Sequence, residues 1–157
     1  MAERLVCRCR AETDTVALGE RIGARLLEGD LLLLSGPLGA GKTVLVRGIA
    51  TGAGAEPSSV RSPTFVLHHV YLGRRLRLHH LDLYRLGPRP DLATLDLDTL
   101  LETGAVVIEW GELADLTGMD VVRVVLDIEN DGTRTVVLQP GAADRLAAAW
   151  QASAPRA

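Results

Sequence analysis

Four leucines, Leu31-Leu32-Leu33-Leu34, run almost directly into Gly36-Pro37-Leu38-Gly39-Ala40-Gly41-Lys42-Thr43, and a helical apolar pattern starts immediately behind them. A short aliphatic run bounded by turn residues reads as a strand buried on both faces, as strands of a parallel sheet do. The eight residues that follow fit the pattern GxxxxGK[ST]. Strand, glycine-rich loop and helix in that order constrain the chain to an α/β architecture, with the loop at the carboxyl end of a central strand. The glycines let backbone N–H groups turn inward around phosphate oxygens, the lysine reaches the outer phosphates, and the Thr43 hydroxyl helps to hold Mg²⁺. Lys42 is the only lysine among 17 basic residues, so the chain keeps an ammonium where that chemistry calls for one.

The remaining pattern extends the same architecture. Residues 4–10 alternate as a strand, and 13–28 carry Leu18, Ile22 and Leu26 at helical spacing, with Gly29 placed to cap the end. The helix after the loop spans 43–53, and 52–63 is a Gly-, Ser- and Pro-rich loop. Strands over 65–72 and 75–83 turn at Gly73-Arg74 as a hairpin, with Leu76, Leu78, His80 and Asp82 on one face. Gly87 to Pro90 breaks the chain, a helix covers 91–103 and stops at Gly104, and 105–110 is a second buried strand. Strands over 121–129 and 133–138 flank Asn130-Asp131-Gly132, a hairpin turn, and a short Ala-rich helix precedes a tail expected to be disordered over 153–157. The expectation is one domain over 1–152. It has a P-loop NTPase core, a mostly parallel central sheet with antiparallel hairpins, and helices on both faces.

Composition narrows the classes of partner. A net charge of -3 argues against strong unaided binding to nucleic acid, which needs a basic footprint. Cys7 and Cys9 at i,i+2 on a strand share a face but are poorly placed for a disulfide, and read as small apolar residues of a reducing compartment. The Arg-alternating N-terminus is not a signal peptide, and no aliphatic run approaches membrane-spanning length, so a cytoplasmic protein is expected.

Hydrolysis at a P-loop needs acids near the metal and a group that orients water. Asp82 and Glu109 each close a predicted strand, at the carboxyl edge where ligands of such folds gather. Ser62-Pro63-Thr64-Phe65 lies where a switch segment would, and Thr64 offers the metal a second hydroxyl. His68, His69, His79 and His80 read as core or surface residues, because strand neighbours face opposite ways and no adjacent pair can chelate. Arg74, Arg75, Arg77, Arg85 and Arg89 read as a solvated edge that deters strand pairing.

Four segments together resemble one family: the P-loop, Ser62-Pro63-Thr64-Phe65, His80-Leu81-Asp82-Leu83-Tyr84-Arg85-Leu86, and Ile108-Glu109-Trp110-Gly111-Glu112. In this order they are similar to the bacterial TsaE (YjeE-type) ATPases, over about residues 10–130. The resemblance implies ATP and Mg²⁺ as cofactors. Phosphates would be held by Gly36, Leu38, Gly39, Ala40, Gly41, Lys42, Thr43 and Val44. The metal would lie against Thr43, Thr64, Asp82 and Glu109, with Glu109 also positioning water. Trp110 would stand beside the nucleotide, and Thr13 and Thr15, at the start of the first helix, are expected near adenine. Pro37, where the family often has an acid, lacks an N–H and should lie outside the cradle. The partners implied are threonylcarbamoyl-transferring subunits of the TsaB and TsaD type, with tRNA reached only through them and the chain monomeric when alone.

Two other readings compete. A small-molecule kinase needs an arginine-bearing lid, for which Arg74-Arg75-Arg77 is the candidate. A nucleotide-gated binding module would turn over negligibly without a partner. A GTPase is disfavoured because Asn130, the only asparagine, does not stand in a guanine-reading Asn-Lys-x-Asp motif, and the Leu-Ser-Gly-Gly signature of transporter ATPases does not occur.

Overall fold

The computed structural model describes residues 3–56, 68–84, 95–110 and 115–152. Leu5–Cys9, with Cys7 and Cys9 turned inward and Val6 and Arg8 outward, form β1, and α1 (Glu12–Gly23) follows. The leucine run is β2 (Leu31–Ser35), and the P-loop opens α2 (Lys42–Gly52). A hairpin, β3 (His68–Leu72) with β4 (Arg77–Asp82), precedes α3 (Leu97–Thr103) and β5 (Ala105–Glu109). A second hairpin, β6 (Val122–Ile128) with β7 (Arg134–Leu138), leads to α4 (Asp144–Gln151).

The seven strands form one sheet in the order β1-β7-β6-β2-β5-β4-β3. The central pairs β6-β2, β2-β5 and β5-β4 are parallel, whereas β1-β7, β7-β6 and β4-β3 are antiparallel. The sheet is therefore parallel in its middle and antiparallel toward both edges. Strand alternation splits the leucine run between two cores. Leu32 and Leu34 pack with Leu18, Leu45 and Leu146 of α1, α2 and α4, while Leu31 and Leu33 pack with Leu97 of α3 on the opposite face. Cys7 and Cys9 are buried in the larger core with their sulfurs 3.8 Å apart.

Helices α1 and α2 approach more closely than ordinary side chains permit. A Cβ on Gly48 would stand 2.3 Å from the Val16 carbonyl oxygen, and one on Gly19 would stand 2.5 Å from that of Leu45. Gly23 and Gly52 extend this seam at i+4 from Gly19 and Gly48, so each helix lays a glycine pair on its neighbour's backbone.

Three expected boundaries are corrected. Helix α1 ends at Gly23, not at 28: Ala24 and Leu26 close its last turn through Glu20 O and Ile22 O. Leu26 is fully buried from the segment that follows, which is why it matched the helical period. Gly29 is no cap; with φ of 92° it turns the chain into β2 and donates to Gly104 O. Helix α3 begins at Leu97, because Asp96 at φ 48° breaks the helical path and accepts a hydrogen bond from Thr99 Oγ1. The carbonyls at and just beyond the end of α1 are taken by Arg75, which donates to Gly23 O and, at 2.7 Å, to Leu26 O. Arg75 is thus a helix-end clamp as well as an exposed residue, and Arg74 and Arg77 are exposed with it beside the edge strand β3. Arg85, Arg89 and the tail over 153–157 lie outside the described residues.

Candidate nucleotide site

The P-loop leaves β2 through Gly36, whose φ of 147° and close approach to the Leu126 carbonyl, 2.3 Å from an ideal Cβ, leave room for glycine alone. Gly39 and Gly41 also carry positive φ, and Gly41 (φ 100°) is the residue from which α2 starts. No side chain caps α2, and its first turn holds no acid. Helix α1 differs: Asp14 Oδ2 accepts from the N–H groups of Arg10 and Ala11, both at 3.0 Å. The backbone N–H groups at the start of α2, with the positive end of its dipole, suit an anion.

Lys42 is buried at the mouth of this terminus. Its Nζ donates to Gly36 O at 2.5 Å and Pro37 O at 3.1 Å, and lies 3.9 Å from the centroid of the Trp110 ring. Trp110 follows β5 at φ 62°, a left-handed conformation that costs a bulky residue energy and persists where the surroundings enforce it. Lys42 on one side and Tyr84, with ring centroids 4.9 Å away, supply those surroundings. This geometry ends the second buried strand at Glu109, one residue earlier than its sequence pattern indicates.

The two acids come together through register, since Asp82 on β4 pairs with Glu109 on β5. Both are nearly inaccessible, at 5% and 3% exposure. Asp82 Oδ1 accepts from the Tyr84 N–H at 2.9 Å. Glu109 accepts from Thr43 Oγ1 at 3.1 Å through Oε1 and from His80 Nε2 at 2.5 Å through Oε2. Lys42, Thr43, Asp82, Glu109 and Trp110 line one cleft of about 260 Å³. Leu38, Gly39, Gly41 and Val44 complete its wall.

A second cleft, of about 210 Å³, lies on the other side of Gly39, Gly41 and Val44. It is bounded by Cys9, Arg10, Glu12 and Thr15 at the start of α1 and by Arg134 from β7. Arg134 Nη2 donates to Gly39 O at 3.2 Å. Thr15 lines this cleft, whereas Thr13 is exposed and does not. The Cys9 thiol is held well above its ordinary pKa, first by its hydrogen bond with Cys7 and then by burial, so it offers no thiolate here.

Thr64 lies outside the described residues. Sequence reasoning missed His80, Tyr84, Arg10, Glu12 and Arg134, which line the clefts or hold residues that do. For His80 a signal existed, since period-two counting puts it on the face of Asp82; its partner depends on the pairing of β4 with β5.

Comparison with known proteins shows the family. Residues 9–136 match the family described as threonylcarbamoyl adenosine biosynthesis protein TsaE. The chain belongs to the TsaE family. Among TsaE relatives, the tRNA threonylcarbamoyladenosine biosynthesis protein TsaE of Mycobacterium leprae is 50% identical over 112 residues, 66% of this chain and 69% of that protein. The Treponema pallidum protein of the same name is 39% identical over 134 residues, 84% of this chain and 98% of that one. The crystal structure of Bacillus subtilus YdiB superposes with a TM-score of 0.75 at 25% identity, covering 98% of this chain and 95% of that one. The TsaE match reaches from the end of β1 into β7, so it includes both clefts and both acids.

Proposed function

We propose that this chain binds ATP with Mg²⁺ across the two clefts and hydrolyses it in support of tRNA threonylcarbamoyladenosine formation. The observation that carries the reading is the uncapped, acid-free start of α2 facing a buried lysine and two register-paired carboxylates in a chain of the TsaE family. The phosphates would take the N–H groups of the loop and the Lys42 ammonium, and the base would lie on the side of Thr15 and Arg10. Oxygen donors suit Mg²⁺, and Thr43 and Asp82 supply a hydroxyl and a carboxylate, with the Glu109 carboxylate beside them. Among the described residues no group of three or more His, Cys, Asp or Glu could hold a metal ion, so Mg²⁺ would arrive with the phosphates that complete its shell. There it would neutralise charge developing between the outer phosphates.

Asp82, fixed by the Tyr84 N–H, is assigned to the metal side, and Glu109 to orienting the attacking water. The partners are threonylcarbamoyl-transferring subunits of the TsaB and TsaD type, and tRNA is reached through them. The chain is proposed to be monomeric when alone and to work in the cytoplasm. Among the described residues no helix is long and apolar enough to cross a membrane.

The kinase alternative loses its candidate lid, because Arg75 clamps α1 and the β3–β4 turn lies at the opposite end of β4 from Asp82. The test is turnover. The purified chain should hydrolyse ATP slowly and faster when the transferring partners are added. Unchanged turnover with the partners present would sink the proposal, and phosphate transfer to a small acceptor would favour the kinase. Within this scheme Asp82→Ala should weaken the Mg²⁺ dependence of binding, whereas Glu109→Ala should spare binding and lose hydrolysis. Loss of binding in Glu109→Ala would reverse the two assignments.

A further inference from the structure

The backbone of Glu109 is fixed in the middle of the sheet, paired with Leu34 on β2 and Asp82 on β4, and its carbonyl accepts from the Leu83 N–H at 3.2 Å. What remains free is the torsion of its side chain, and two groups hold the carboxylate. The tie to Thr43 reaches across to the loop that must receive a ligand. The tie to His80 lies wholly inside the protein, with His80 at 0% exposure. A carboxylate only accepts, so His80 Nε2 is the donor, and Nδ1 is left to accept from the Tyr71 hydroxyl at 3.3 Å. Tyr71 is itself buried on β3, and its ring lies 5.9 Å from that of His80.

We infer that His80 is a positioning residue for Glu109, and that Tyr71 sets its tautomer. The chain Tyr71–His80–Glu109 determines which carboxylate oxygen faces the cleft. One oxygen is committed inward to a fixed ring, which directs the other toward Thr43 and the phosphate side. Catalytic groups must be held to within about 0.5 Å and 10–20° of the productive geometry, and that falls to supporting hydrogen bonds of this kind. The inference rests on the proposed ATPase reading for the task of Glu109, but the hydrogen-bond chain itself does not.

The test uses the full chain with its transferring partners. His80→Ala should lower kcat about 10- to 100-fold, the usual loss when a supporting hydrogen bond to a functional group is removed. Mg-ADP affinity should stay within about threefold, because no phosphate-binding group is touched. His80→Gln, which can place an amide N–H near the position of Nε2, should recover most of kcat. Tyr71→Phe should lower kcat modestly in the wild type and add nothing in the His80→Gln background, where Nδ1 is gone. A second readout needs no turnover. Proton NMR of the nucleotide-free protein should show an exchange-protected imidazole N–H downfield of the amides, moving upfield in Glu109→Gln. Unchanged kcat in His80→Ala, an affinity loss as large as the kcat loss, or no such resonance would each overturn the inference. If His80→Ala does not fold, the Gln and Phe variants decide. Absence of wild-type turnover with the partners present would overturn the ATPase reading and this inference together. Glu109-dependent turnover with normal kcat in His80→Ala would overturn this inference alone.

Discussion

Replacing Gly48 by alanine tests whether the glycine seam between α1 and α2 sets the shape of the nucleotide cleft. The added Cβ would meet Val16 O at 2.3 Å, Gly19 Cα at 2.9 Å and Val16 C at 3.0 Å, all of them backbone atoms that cannot rotate away. Restoring an ordinary 3.4 Å contact to the Val16 oxygen requires the helices to part by about 1 Å. Overpacking of this kind costs about 1–3 kcal/mol. Alanine's better helix propensity returns up to about 1 kcal/mol, leaving a net loss of about 1–2 kcal/mol. For a chain of this size that lowers Tm by roughly 3–6 °C. Urea unfolding should show the loss as a lower midpoint with an unchanged slope. The displacement also has a functional direction. Val16 adjoins Thr15, which lines the second cleft together with Gly41 and Val44 of the P-loop and α2, so nucleotide affinity should fall with stability. Gly52→Ala, whose Cβ would meet Glu20 O at 2.2 Å, should cost similar stability but spare affinity, because Glu20 is more than a helical turn from Thr15. Wild-type stability in Gly48→Ala would refute the argument, and equal affinity losses in both variants would refute its functional half.

Two further outcomes follow, one from a buried histidine of β4 and one from the site. The pKa of His79 is lowered to about 4, first by burial and then by His68 and Arg77, and both its ring nitrogens are engaged, with His68 at 3.0 Å and Thr103 Oγ1 at 2.9 Å. The unfolded chain takes up this proton near pH 6.5 and the native chain only near 4, so its contribution is intact above about 6.5 and is lost as pH falls toward 4. A His79→Gln variant should show a shallower fall in urea midpoint across that window, and an unchanged fall would contradict the assignment. Trp110 fluorescence should change on addition of Mg-ADP, because phosphate competes for the ammonium 3.9 Å from its ring. Trp150, buried with its indole donating to Val136 O at 2.9 Å, should stay silent, and a response that survives in Trp110→Phe would count against the placement.

What the sequence made legible was local. The leucine run, the glycine loop and the helix behind it identify β2, the P-loop and α2, because burial on both faces and the need for positive φ leave direct marks on residue type. Asp82 and Glu109 were legible as strand-end acids. Their meeting was not, since it depends on a parallel pairing of strands more than twenty residues apart. The role of His80 was hidden for the same reason. The clamp made by Arg75 was hidden because the carbonyls it serves lie about fifty residues earlier. The left-handed backbone of Trp110 leaves no mark at all, because nothing in residue type announces it; it is imposed by packing against Lys42 and Tyr84. The glycines at 19, 23, 48 and 52 did carry a signal, in two pairs at helical spacing, and read as a pattern they would have placed α1 against α2.

The most direct test of the account is a calorimetric titration of Mg-ATP into the wild type and into Lys42→Ala. The account predicts saturable one-to-one binding by the wild type. In Lys42→Ala the affinity should fall by about 10- to 100-fold, as expected when a charged hydrogen bond to phosphate is lost. Equal affinity in the two proteins, or no binding by the wild type, would contradict it.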